Sequence, residues 1–261
     1  MPDSRTLKAA TLRKHFRAIP KEDRDAHQPF AIRVWRGLSW LERSEGAADL
    51  EGRFISLWIA FNAIYGHLDG DGRDARDRAS WQNFLARMVE HDAGDALGQT
   101  VRDRPGDILP LIDNRFLFKP FWLGQADADA KLVRARRRAL KAYNDGATLA
   151  VLQELFERFY VLRMQVFHGA ATSGSRLNRQ TLEQAVGLLE DLVPRMLEIM
   201  IAAGPEVDWG EVCFPAGGGL MAWSHALGAS QWILRWALHR SVSWSATTSC
   251  NRGLSSYNSL R

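Results

Sequence analysis

Every long apolar pattern in this chain repeats with the period of an α-helix. From Asn178 to Ala203 the residues Leu182, Val186, Leu189, Val193, Leu197 and Ile201 recur at steps of three and four, which places them on one stripe. Ala147–His168 repeats the arrangement with Leu152, Leu155, Phe156, Phe159 and Leu162, and Gly169 stands where a helix commonly ends. Phe30–Arg43 carries Phe30, Val34, Leu38 and Leu41, with Pro29 placed to start the helix and Gly46 to close it. Leu50–Gly66 is apolar on a wider front: Phe54, Leu57, Trp58, Phe61 and Ile64 are flanked by Ile55, Ile59 and Ala60. A helix apolar on so many sides belongs at the centre of a core. No segment alternates with the period of two that a half-buried strand requires, and no internal repeat is present. The fold class is therefore all-α, a helical bundle.

Shorter helices fill the rest. Thr6–Ala18 has Asp3 and Ser4 as candidate caps and Pro20 as a stop; Trp81–His91 is a further helix; Ile108–Phe118 is framed by Pro105 and Pro120. Ala128–Asn144 is a basic helix ended by Asp145 and Gly146. His67–Ala79, rich in Gly and charge, and Thr172–Ser175 read as loops. Pro194 is expected to kink its helix or mark a turn. The composition changes after Phe214: residues 215–261 hold nine Ser, four of the ten Trp and no Asp or Glu. Trp223–His239 has a mixed helical character, and the Ser, Thr, Gly and Asn beyond Arg240 suggest disorder or a non-native extension. The organisation is 1–47, N-terminal helices packing on the bundle; 48–204, the helical domain; and 205–261, an irregular tail without functional weight.

At 261 residues the chain can bury a sizeable core. A pI near 9.3 invites a nucleic-acid reading, but the net charge of +4 is supplied by Arg235, Arg240, Arg252 and Arg261 alone. Global charge thus carries no argument, and only local clusters can. No apolar run is long enough to span a bilayer. Met1–Pro20 lacks an apolar block followed by a cleavage site, and Cys213 and Cys250 make no disulfide framework. A cytoplasmic protein is expected.

One pair carries chemistry. Tyr160-Val-Leu-Arg163-Met-Gln-Val-Phe-His168-Gly169 sets a guanidinium and an imidazole five residues apart. On an ideal helix that is about 140° of rotation, so the two share a cleft only if the helix ends near His168. Arg offers a permanent cationic fork that matches a phosphate, and His exchanges a proton near neutral pH. No CxxC, HExxH or carboxylate pair at ligand spacing accompanies them, so neither a metal nor a cofactor is expected. The pair suits attack of a ribose 2′-hydroxyl on its own phosphodiester, His moving the proton and Arg meeting the charge on phosphoryl oxygen. The plain structural alternative is a terminal His on helix carbonyls and an Arg paired with an acid such as Glu157.

Arg163-x4-His168 behind an amphipathic helix resembles the Arg-x4–6-His motif of the HEPN superfamily, and Leu57-Trp-Ile-Ala-Phe-Asn-Ala-Ile-Tyr-Gly66 is similar to the core helix of bacterial members. The resemblance covers Ala48–Ala203. It implies a HEPN-like bundle, with extra helices before it, that forms a homodimer bringing two motifs to one cleft. The implied activity is metal-independent endoribonuclease action on RNA in phage defence or a toxin system, restrained by an antitoxin or regulatory partner. Other members are non-catalytic modules that bind a partner protein or a nucleotide. The residue after the Arg is commonly polar in active members and is Met164 here; Gln165 is the candidate substitute.

Arg134, Arg137, Arg138 and Lys141 fall on one face of the basic helix and are candidate RNA-backbone contacts; a solvated face balanced by the acids of Asp127–Asp129 explains them equally. Trp35, Trp40, Trp58 and Trp81 could stack on bases, but core packing is the expectation. Gly66–Gly72 lacks the residues of a phosphate loop. Asp69, Asp71 and Asp74 lack the Glu that completes a calcium loop. His15, His27, His67 and His91 are isolated.

Overall fold

The computed structural model describes residues 7–66, 77–170, 172, 174, 176, 178–210 and 212. Among them all regular structure is helical: α1 (Ala9–Ala18), α2 (Lys21–Ala26), α3 (Gln28–Glu45), α4 (Leu50–Tyr65), α5 (Asp77–Glu90), α6 (Ala96–Asp103), α7 (Pro105–Asp113), a 3-10 turn (Arg115–Leu117), α8 (Lys119–Trp122), α9 (Ala128–Asn144), α10 (Thr148–Phe167) and α11 (Arg179–Ala203). No helix among the described residues is long and apolar enough to cross a membrane.

The apolar α4 is central, as its composition dictates. The Asp49 carboxylate accepts from the Gly52 amide at 2.6 Å and so caps its first turn. α3 packs extensively against α4, and α11 packs against both. Gly37 permits this approach, because a Cβ there would stand 2.8 Å from Ile64 Cγ2 and 2.9 Å from Leu197 Cδ2. α10 packs against α9, α5, α7 and α6 and reaches α4 through aromatic rings. Phe61 of α4 stacks at 4.5 Å on both Tyr65 and Phe156, and Trp58 meets Tyr160 of α10 at 6.3 Å. Such rings bury the most apolar area per residue and fix the helices' mutual register.

Several boundaries differ from the sequence expectation, each for a local reason. α5 begins at Asp77, so Asp77–Ala79 are helical rather than part of the loop; the remainder of that loop lies outside the described residues. α7 stops at Asp113 because the Asn114 side chain accepts from the Phe116 amide at 2.9 Å and turns the chain into the 3-10 element. Pro120 does not end a helix but starts α8, a position that costs no hydrogen bond. Pro110 removes the donor for the Gly106 carbonyl, which accepts from Gln184 Nε2 instead. α11 continues through Pro194, which is buried. α2 and α6 were hidden from pattern reading. α2 buries nothing, and α6 is short, its start held by Asp92, which accepts from the amides of Ala96 and Leu97. Asp3, Ser4 and Trp223–His239 lie outside the described residues.

Trp58 and Trp81 are in the core, but Trp35 and Trp40 are 49% and 38% exposed, a correction to the expected packing. Each is one residue off the buried stripe of Phe30, Val34, Leu38 and Leu41, about 100° around the helix; Trp35 lies under the Arg13 guanidinium instead.

Two arginines among the described residues are interior. Arg33 donates to the carbonyls of Ile64 (3.0 Å), Gly66 (2.7 Å) and Gly210 (3.2 Å), closing the end of α4 and tying it to the chain beyond α11. Trp209 and Val212 in that segment are buried too. Arg158 donates from Nε to the Ile112 carbonyl at 3.1 Å, capping α7, with its guanidinium over the Phe118 ring. Burial pushes the Arg158 guanidinium below the ordinary arginine value, while Glu154 and Glu157 pull the other way.

Candidate functional site at the end of α10

α10 ends in the arrangement that Gly169 foreshadows. Gly169 has φ +66°, its amide reaches the Val166 carbonyl at 3.2 Å, and the Ala170 amide reaches the Gln165 carbonyl at 2.9 Å. This is a Schellman motif, which needs a left-handed residue after the cap. His168 is the cap itself (φ −93°, ψ 6°) and its side chain is exposed. Neither of its ring nitrogens has a partner among the described residues.

Arg163 is half-buried on the same last turn. Its guanidinium lies 4.9 Å from the Phe167 ring centroid and 6.0 Å from that of Tyr160, leaning toward the end of the helix. Nη1 contacts the Met164 sulfur at 3.1 Å, and Nε is buried without a hydrogen-bond partner. Glu157, the acid that might have neutralised it, is engaged by Arg78; six residues of helix put it about 9 Å along the axis. Phe167, 46% exposed, lays its ring against the Arg163 guanidinium, one residue before His168. Gln165 lies on the other flank, its Nε2 donating to the Phe116 carbonyl at 2.6 Å and its Oε1 accepting from Asn178. Its side chain joins α10 to the 3-10 turn and to the start of α11. The chain after His168 is held to α4, the Gly174 amide donating to Glu51 at 2.9 Å.

The basic helix α9 presents Arg134, Arg137, Arg138 and Lys141 to solvent. Arg138 pairs with Glu154, Lys141 with Asp145, and Arg134 loosely with Asp127 at 3.9 Å. Lys131 also holds Asp127, at 3.0 Å, and this hydrogen bond keeps the Asp127 carboxyl below its usual value. Arg137 has no acid partner among the described residues. Exposed pairs of this kind contribute about 0–1 kcal/mol each.

Sequence reasoning missed the turn between α7 and α9. Phe116 and Trp122 are 47% and 57% exposed, with Phe121 edge-on to both and the Arg115 guanidinium 4.7 Å from the Phe121 ring. The aromatic density of Phe116-Leu-Phe-Lys-Pro-Phe-Trp122 was the available signal. Trp122 Nε1 donates to the Phe116 carbonyl at 2.7 Å, the same oxygen that Gln165 holds. On the other side Arg115 pairs with Asp129 of α9 at 3.7 Å.

No group of His, Cys, Asp or Glu among the described residues is arranged to hold a metal; Asp69, Asp71, Asp74 and His67 lie outside them. His15 is exposed, His27 faces Glu206 at 3.7 Å, and His91 packs on Trp209. A cleft of about 270 Å³ between α5, α9 and α10 is lined by the Arg78–Glu157 and Arg138–Glu154 pairs. Comparison with known proteins gives no match to a family model, to a curated protein or to a solved structure.

Proposed function

We propose that the protein is a metal-independent endoribonuclease of HEPN type, acting as a homodimer in which the α10 ends of two copies share one cleft. What supports this reading is an Arg163 guanidinium with no acid partner among the described residues and an exposed, unpartnered His168, five residues apart at the end of α10. An arginine without a carboxylate keeps its donors for a phosphate. In the reaction, His168 takes the proton of the ribose 2′-hydroxyl as the 2′ oxygen bonds to phosphorus. Arg163 meets the charge that grows on the phosphoryl oxygens, and the bond to the 5′ oxygen breaks. The second copy's motif returns a proton to that leaving oxygen. The products are a 2′,3′-cyclic phosphate and a 5′-hydroxyl. A role in phage defence or a toxin system, with an antitoxin or other regulator, belongs to the same proposal.

The test is cleavage of labelled RNA in EDTA by wild type, His168→Ala and Arg163→Ala. Loss of general acid–base help lowers the rate by about 10²–10⁴-fold, with thermal stability unchanged because His168 is exposed. Equal activity of His168→Ala, or no activity in any of the three, removes the catalytic reading. A second reading, a non-catalytic HEPN-like module that binds a partner protein or nucleotide, is favoured by one contact: the Met164 sulfur occupies an arm of the Arg163 fork. Cleavage absent in wild type but present in Met164→Asn would support it.

A further inference from the structure

We infer that the aromatic turn of Phe116, Phe121 and Trp122 is a stacking platform for the bases of an unpaired RNA strand, which it leads from the α9 face to the end of α10. The inference rests on the ribonuclease reading for its choice of RNA. Exposed aromatic rings have several uses, and three features select this one. The first is chemistry. The rings are interleaved with cations, Arg115 over Phe121 at 4.7 Å and over Phe116 at 6.0 Å, and with Lys119, exposed and without an acid partner among the described residues. Alternating rings and cations are what a single strand requires, since each base offers a π-face and each linkage a charge. The second is position. Gln165 and Trp122 converge on the Phe116 carbonyl, so the platform adjoins the helix turn that bears Arg163 and His168. The Arg115–Asp129 pair joins its other side to α9, where Arg137 also lacks a partner. A strand lying on the rings would thus have a cationic helix behind it and the candidate cleavage pair ahead. The third is charge. A second copy laid face to face on this turn would set Arg115 and Lys119 against their own equivalents, a like-charge contact. A polyanion has no such conflict. Duplex RNA does not satisfy the rings, because its bases are already stacked.

The experiment uses the full chain carrying His168→Ala, so that binding is read without cleavage. Fluorescence anisotropy would follow a short labelled oligouridine and, separately, a labelled RNA duplex. The expected result is tighter binding of the single strand and a loss of about fivefold to a hundredfold on Trp122→Ala, the range that one base–aromatic stack supplies. Trp122→Phe should keep most of the affinity, since it retains a ring and loses only the bond to the Phe116 carbonyl. Melting curves check that each variant folds, and Phe116→Ala serves in its place if Trp122→Ala does not. Unchanged affinity in a folded Trp122→Ala protein overturns the platform, as does equal preference for the duplex or no binding by either probe. Sedimentation of the same variants tests the competing occupant: Trp122→Ala that dissociates a dimer while binding oligouridine normally also overturns it. Cleavage that vanishes with His168→Ala while Trp122→Ala binds normally would sink the platform and leave the nuclease standing. The reverse result would do the opposite.

Discussion

Replacing Arg33 with Met isolates what an interior guanidinium contributes to this bundle. Arg33 is fully buried and gives hydrogen bonds to three carbonyls, those of Ile64, Gly66 and Gly210. The Ile64 carbonyl belongs to the last turn of α4, where no intrahelical amide is available to it. Without Arg33 that buried acceptor is stranded, at a cost of about 1–3 kcal/mol. The Gly66 and Gly210 carbonyls are partly exposed and can turn to water, so each loss is nearer the net value of about 0.5–1.5 kcal/mol. Methionine is apolar, flexible and of similar reach, which removes most cavity cost and relieves the desolvation of the cation. The sum is a loss of about 2–5 kcal/mol, or roughly 5–20 °C in Tm for a chain of this size. Circular dichroism melting of Arg33→Met beside Arg137→Met, an exposed arginine with no acid partner, makes the measurement. Arg33→Lys should fall between them, because an ammonium reaches fewer of the carbonyls. A drop below about 2 °C for Arg33→Met would mean that the cap does not hold the end of α4.

Two smaller effects test the local geometry. Gly169→Ala meets no neighbouring atom but forces a Cβ onto φ +66°, so it should lower stability by about 1 kcal/mol, with Gly169→Asn recovering part of it in the same melting assay. The Asp127 carboxyl is held below 3.8 by Lys131. Its contribution to stability is therefore present above the unfolded value and lost as pH falls through the lower folded one. An NMR titration should place its midpoint below 3.8 in wild type and return it toward that value in Lys131→Met; a midpoint at 3.8 in both would contradict the pairing.

Helical periodicity made α3, α4, α10 and α11 legible, because each buries a continuous stripe whose spacing is written in the residues, while α9 was legible from its basic run and the Asp145-Gly146 end. It failed where a helix is too short to repeat its stripe, although α6 still buries Leu97 and Val101 and α7 buries Ile108 and Leu111. α6 depends on Asp92, and α7 is cut by Asn114, signals that are only local. The Trp35 and Trp40 exposures show the other limit, since a one-residue offset reverses the face on which a large ring sits. At the candidate site, Gly169 announced the helix end correctly. That Glu157 would be engaged by Arg78 was unreadable, because the partner is remote in sequence. The same holds for Arg33 and Arg158, whose acceptors are backbone carbonyls and carry no residue-specific mark.

The Phe116 carbonyl, held at once by an indole and by an amide side chain, acts as a mechanical joint. An oxygen gripped from both sides cannot move without dragging one donor or losing it. The Trp122 ring and the Gln165 side chain therefore share one anchor, and Gln165 sits in the last turn of α10. On the proposed reading, a base laid on the Trp122 ring would bear on the carbonyl that also holds Gln165, three residues before His168.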